Sequence, residues 1–230
     1  MALPTALTSL LTPLLTPYGL LLACHVIGGT LALAAGLTAM VAVKGGLWHR
    51  RAGRIFAVAM LAIVADALVM AVLKPNAFLF LVGLFSLYLV AVGWRAARLR
   101  DGRPRRLDWA LAAAMLSAAS VMIAWGLLQL ARGEAFPGPV LLVFGLIGGG
   151  QAVADLRLFR RGGPQGALRI CRHLGHMTGG FVAALTAFTV VNAQFLPELA
   201  RWLGPTLLLA PVIVWWRWRL RRPAQRRAAA

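Results

Sequence analysis

Acidic side chains are scarce in this chain of 230 residues: six Asp and Glu stand against 24 Lys and Arg. Charged residues of every kind make up only 13%, while 60% is apolar and the mean hydropathy is +0.79. Soluble domains use about 45–50% apolar residues, so an ordinary soluble fold is excluded. Lysine is nearly missing, and the last apolar stretch, Leu203–Trp218, has none. That excludes a retinal protein, which needs a Schiff-base lysine there. The two cysteines, Cys24 and Cys171, are expected near opposite membrane faces. A disulfide requires Cα atoms within about 7 Å, so they are not expected to pair within one monomer. No Ser nucleophile motif, Walker loop or His-Glu-x-x-His appears, and no catalytic residue set is expected. No cation precedes Lys44, so a cleaved secretory signal is not expected.

What the chain has is apolar runs and sorted arginines. A hydrocarbon core of about 30 Å takes roughly 20 apolar residues per helix. Seven stretches approach that length: Tyr18–Val43, Ile55–Leu73, Phe78–Trp94, Trp109–Ala131, Pro139–Asp155, Leu174–Asn192 and Leu203–Trp218. Of the cations, 21 fall in four clusters, Lys44 to Arg54, Arg95 to Arg106, Arg157 to Arg172 and Arg217 to Arg227. Lys74, Arg132 and Arg201 lie alone in the alternate connections. Lys and Arg are retained in cytoplasmic loops during insertion. The expected fold is therefore an all-α, seven-helix bundle with its N-terminus outside and its C-terminus cytoplasmic. A bacterial inner membrane is the expected location. Residues 1–17 form an interfacial lead-in, 18–218 the transmembrane domain and 219–230 a basic cytoplasmic tail.

The net charge of +18 has no need of nucleic acid, because it follows every second loop. The bilayer and its anionic headgroups are the expected partners; juxtamembrane cations contribute about 1 kcal/mol each there. Trp94, Trp109, Trp215, Trp216 and Trp218 fall at inner ends and Trp202 at an outer one, as in an aromatic belt. Arg50-Arg51-Ala52-Gly53-Arg54 and Arg172-His173-Leu174-Gly175-His176 share an R-x-x-G-basic pattern. With Ile27-Gly28-Gly29 and Ile147-Gly148-Gly149, it hints at two parallel three-helix units around a linking helix, an arrangement found in transporters.

His25 and Asp66 are the sharpest pair. Each lies about 12 Å deep on neighbouring antiparallel spans, at 1.5 Å per residue. Intramembrane ionisable groups usually mark a pathway, a proton relay or a ligand. The alternative is a structural contact between helices. Gly28, Gly29, Ala32 and Gly36 make a small-residue face that admits a second helix or a flat ligand. Thr186, Thr189 and Asn192, with Gln129, can line the same cavity or bond between helices. On the basic side, Lys44, Arg50, Arg54 and Arg172 are candidates for an anion or headgroup. His49, Cys171, His173 and His176, with Asp155, are weaker metal-ligand candidates; the flanking arginines disfavour a cation. Haem b is a further alternative, with His25 and Met70 or Met122 as axial ligands.

The run His25-x-x-Gly28-Gly29, Lys44-Gly45, His49-Arg50-x-x-Gly53-Arg54-x-Phe56 and Met60 resembles bacterial membrane proteins grouped as domain of unknown function 2306. The resemblance covers residues 20–100. It implies a helix with an intramembrane His, a His-Arg-x-x-Gly loop and a second helix. Arg172-His173-x-x-His176-Met177 is a loose counterpart of that family's His-x-x-Trp-Met element. The family has no assigned activity, so the resemblance singles out His25, His49, Arg50, Gly53 and Arg54 without a mechanism. The expected function classes are a small-molecule or proton-coupled transporter, a membrane redox protein, and a non-catalytic lipid-binding or assembly protein.

Overall fold

A computed structural model describes residues 16–99 and 101–228, with side chains as far as Leu220. The described residues form seven helices: α1 Pro17–Val41, α2 Leu47–Leu73, α3 Ala77–Arg98, α4 Arg106–Ala131, α5 Gly138–Arg160, α6 Gly166–Asn192 and α7 Glu198–Ala228. All seven are long and apolar enough to cross a membrane. In lipid the backbone must satisfy its polar groups internally, and an α-helix does so within one segment. Large apolar side chains remain uncovered, among them Ile27 at 70% and Leu208 at 75% exposure. Such surface is unfavourable in water and suits hydrocarbon, so the chain is a multi-pass membrane protein.

The helices run further than the apolar stretches. α2 begins at Leu47, so His49, Arg50, Arg51 and Arg54 occupy its first two turns and not a loop. α6 begins at Gly166 and takes in Cys171, Arg172, His173 and His176. Long cationic side chains are good helix formers, and hydropathy alone cannot see a helix continuing past the hydrocarbon. The basic tail likewise continues α7 as helix to Ala228. The lead-in lies outside the described residues, except that Thr16 caps α1 through Gly19 N–H (3.0 Å) and Pro17 opens the helix.

Two compact units divide the chain, Met1–Gly83 and Leu84–Ala230. In the first, α1 packs on α2 through small residues. A Cβ at Gly28 would lie 2.5 Å from Ile63 Cγ2, so the glycine face admits the neighbouring helix. The α1 carbonyl end is closed from the next turn: His49 Nδ1 donates to Ala39 O at 2.9 Å, and Lys44 Nζ donates to Ala39 O at 3.2 Å and to Met40 O.

In the second unit α4 packs on α5 and α6 on α7. α3 is the best-covered span, 56% buried against 11% for α7. Tyr88, Leu89, Val90 and Val92 are within 2% of full burial, and Phe85 stacks on Phe144 at 5.2 Å. Arg169 Nη1 donates to Ala96 O at 2.8 Å and His173 Nδ1 to Gly93 O at 2.9 Å, so α6 supplies the last carbonyls of α3. Gly102 (φ +66°) and Gly163 (φ +96°) bring two connections into backbone contact; a Cβ at either would meet the other loop near 2.2 Å.

Gly126 of α4 is closed in by α5, with Gly138 O and Leu142 Cγ each 2.9 Å from its Cβ position. Gly126→Val is expected to cost about 1–3 kcal/mol by overpacking and to lower the thermal unfolding midpoint in detergent. Gly204→Ala, with open space around it, is expected to leave the midpoint unchanged or raise it.

Candidate functional site

Of the acids in helices, three are withdrawn from solvent, and each has a different partner. Asp108, in the first turn of α4, accepts from Arg95 Nε at 2.9 Å and Nη2 at 2.8 Å, and from the Arg105 backbone N–H at 2.9 Å. This fork joins the end of α3 to the start of α4.

Asp155 of α5 is 2% exposed. Arg172 of α6 donates Nε to Oδ1 at 2.7 Å and Nη2 to Oδ2 at 3.0 Å. Tyr88 of α3 donates its hydroxyl to Oδ2 at 2.8 Å. His176 Nε2 stands 3.4 Å from the same oxygen, its ring edge-on to Tyr88 at 5.4 Å. His176 Nδ1 lies 3.0 Å from Arg172 O; a carbonyl oxygen only accepts, so Nδ1 carries a hydrogen. The Arg172 guanidinium also lies 5.0 Å over the Phe159 ring. One carboxylate thus ties α3, α5 and α6 together.

Asp66 of α2 is held less firmly. His25 Nδ1 of α1 is 3.3 Å from Asp66 Oδ2, and the side chains are 30% and 12% exposed. The distance is that of an ion pair, but the alignment is not that of a hydrogen bond. His25 Nδ1 and both Asp66 oxygens are buried without a hydrogen-bond partner among the described residues. An arginine fork fixes its carboxylate and stays charged, whereas a histidine can give up its proton near neutral pH. Of the three acids, Asp66 is the one without an arginine partner.

The other expected site residues separate. Gly28 faces Ile63, and Gly29 lies 4.0 Å from the same side chain at its Cβ position. Thr189 and Asn192 turn back onto their own helix, donating to Leu185 O at 2.8 Å and Phe188 O at 2.9 Å, and so do not bond between helices. Thr186 is 2% exposed, and its hydroxyl lacks a partner among the described residues. In the anion set, Lys44 caps α1 and Arg172 is committed to Asp155, which leaves Arg50 and Arg54 on α2. His49, His173 and His176 each place Nδ1 on a backbone carbonyl, and Cys171 Sγ lies 3.6 Å from Arg217 O. Among the described residues no three His, Cys, Asp or Glu side chains converge as metal ligands. Met122 is fully buried, and its Cβ lies 3.1 Å from the Cβ position of Gly145, so it packs α4 on α5. The two R-x-x-G-basic copies also differ: Gly53 has open space, while a Cβ at Gly175 would lie 3.2 Å from the Arg217 side chain.

The sequence reading missed Tyr88, Arg95 and Asp108, and took Asp155 only as a spare metal ligand. A usable signal was present. Asp108 and Asp155 lie beside arginine clusters, where an internal ion pair is a natural outcome.

Comparison with family models, with curated proteins and with solved structures finds no match to this chain.

Removing Asp155 would leave Arg172 buried without its counter-charge, a loss of about 3–5 kcal/mol for such pairs. Asp155→Leu is expected to lower the unfolding midpoint sharply, and Asp155→Leu with Arg172→Met to recover most of the loss. Equal midpoints for the single and double variants would show that the charges do not support one another.

Proposed function

We propose that this protein is a small-molecule carrier of a bacterial inner membrane, coupled to protons through His25 and Asp66. The observation that carries the reading is the contrast among the three acids. Asp108 and Asp155 are locked by arginine forks, whereas Asp66 meets an imidazole at 3.3 Å with its oxygens still lacking aligned donors. A shared site of this kind can take up or release a proton without unfolding its surroundings. Intramembrane acids of membrane proteins commonly serve as such relays.

In this reading the N-terminus faces outward and the C-terminus the cytoplasm. The alternation of the four basic clusters with Lys74, Arg132 and Arg201 supports that orientation. Arg50 and Arg54 then meet anionic headgroups at the cytoplasmic surface.

Two tests follow. A fluorescent protein fused to the C-terminus is expected to mature and fluoresce in whole cells, while a periplasm-dependent phosphatase fused there stays inactive; the reverse pair rejects the orientation. In proteoliposomes under an imposed pH gradient, wild-type protein is expected to carry proton flux. Asp66→Asn is expected to abolish that flux at unchanged expression and unfolding midpoint. Flux equal to wild type in Asp66→Asn rejects the coupling, and loss of folding in that variant makes the pair structural.

A further inference from the structure

The second unit holds an open cavity of about 520 Å³ among α5, α6 and α7. Its charge is one-sided. Arg157, Arg161, Arg172 and Arg217 line it against a single acid, Asp155. That acid is already matched by Arg172, whose fork closes on it at 2.7 and 3.0 Å. Arg157 and Arg161 are exposed, and no ion pair engages them among the described residues. Arg217 reaches in across Gly175, whose missing side chain leaves 3.2 Å to its Cδ, Nε and Cζ. Retention of cations in a cytoplasmic loop explains why arginines are here. It does not explain why they surround a cavity of ligand size.

Two buried polar atoms at this cavity point to what fills it. His176 is 3% exposed and lines the wall. Its Nδ1 is committed to Arg172 O, and its Nε2 stands 3.4 Å from Asp155 Oδ2 without an aligned hydrogen bond. Gln151 also lines the cavity, and its Oε1 is buried without a hydrogen-bond donor among the described residues. Unmet buried polar groups are costly, and a bound group that offers both acceptors and a donor would satisfy them. Arginine guanidinium groups favour phosphate oxygens, which accept in a planar fork. A hydroxyl on or beside the phosphate supplies the donor. The lining also includes Ile147, Leu158 and Leu168, so the occupant can carry a hydrocarbon portion.

We propose that this cavity binds a phosphate group accompanied by a hydroxyl donor, held by Arg157 and Arg161, with His176 and Gln151 in its lining. A free hydrogen phosphate and a hydroxyl-bearing phospholipid headgroup share this chemistry. The site stands apart from the His25–Asp66 reading and does not depend on it.

The test uses the full chain in two settings. In detergent, inorganic phosphate is titrated at constant ionic strength against chloride, and the thermal unfolding midpoint is followed. In vesicles, the midpoint in phosphatidylcholine is compared with that in phosphatidylcholine containing phosphatidylglycerol. Stabilisation by inorganic phosphate assigns a water-soluble ligand, and stabilisation only by phosphatidylglycerol assigns the headgroup. The double variant Arg157→Gln/Arg161→Gln is expected to keep the unliganded midpoint and to weaken the stabilising probe about tenfold or more, the scale of a lost charge-assisted contact. His176→Phe is expected to weaken it as well. The proposal is overturned if neither probe stabilises the protein, if chloride matches phosphate and phosphatidylglycerol adds nothing, or if the double variant binds as wild type does.

Discussion

A carboxylate inside an apolar helix bundle persists only with a counter-charge at hand, and this chain solves that problem three times. The solutions are not equivalent. Arg95 and Arg172 grip Asp108 and Asp155 through two nitrogens each, at 2.7 to 3.0 Å. A guanidinium keeps its proton at any physiological pH, so these two contacts act as fixed joints between helices. His25 offers Asp66 a single ring nitrogen at 3.3 Å, and an imidazole can exchange its proton. Two acids are paired with arginine and one with histidine, and the proposed proton coupling rests on that difference.

The arginine-rich ends are also more than a record of insertion. Arg169 and His173 close the carbonyl end of α3, Lys44 and His49 close that of α1, and Arg95 and Arg172 neutralise buried acids. Cations near helix C-termini are favoured by the exposed carbonyls there. The basic residues at the helix ends thus also finish the helices and fasten them. Arg157 and Arg161, left out of this internal pairing, border the cavity for which a phosphate ligand is inferred.

Much of the fold was legible in the residues. Apolar runs of membrane length gave seven helices, and the approach of His25 to Asp66 followed from equal depth on neighbouring spans. Helix ends were not legible, because hydropathy marks the hydrocarbon and not the hydrogen-bonded ladder; α2 and α6 continue through Arg54 and Arg172 with no apolar signal. The Asp155 network was hidden for a related reason. Tyr88 and Asp155 lie on helices separated by the whole of α4, and only packing brings the phenol to the carboxylate. Thr189 and Asn192 illustrate the converse: polar residues on one helix face suggested a shared cavity, and each satisfies itself on its own backbone.

The claim that Asp66 changes state while the arginine-held acids do not is open to one direct measurement. Infrared difference spectra of the purified protein in lipid, recorded between acidic and alkaline pH, resolve protonated carboxyl groups. The account predicts a carboxyl signal that disappears in Asp66→Asn and shifts in His25→Ala. A signal unchanged in both variants, or none in the wild type, would contradict it.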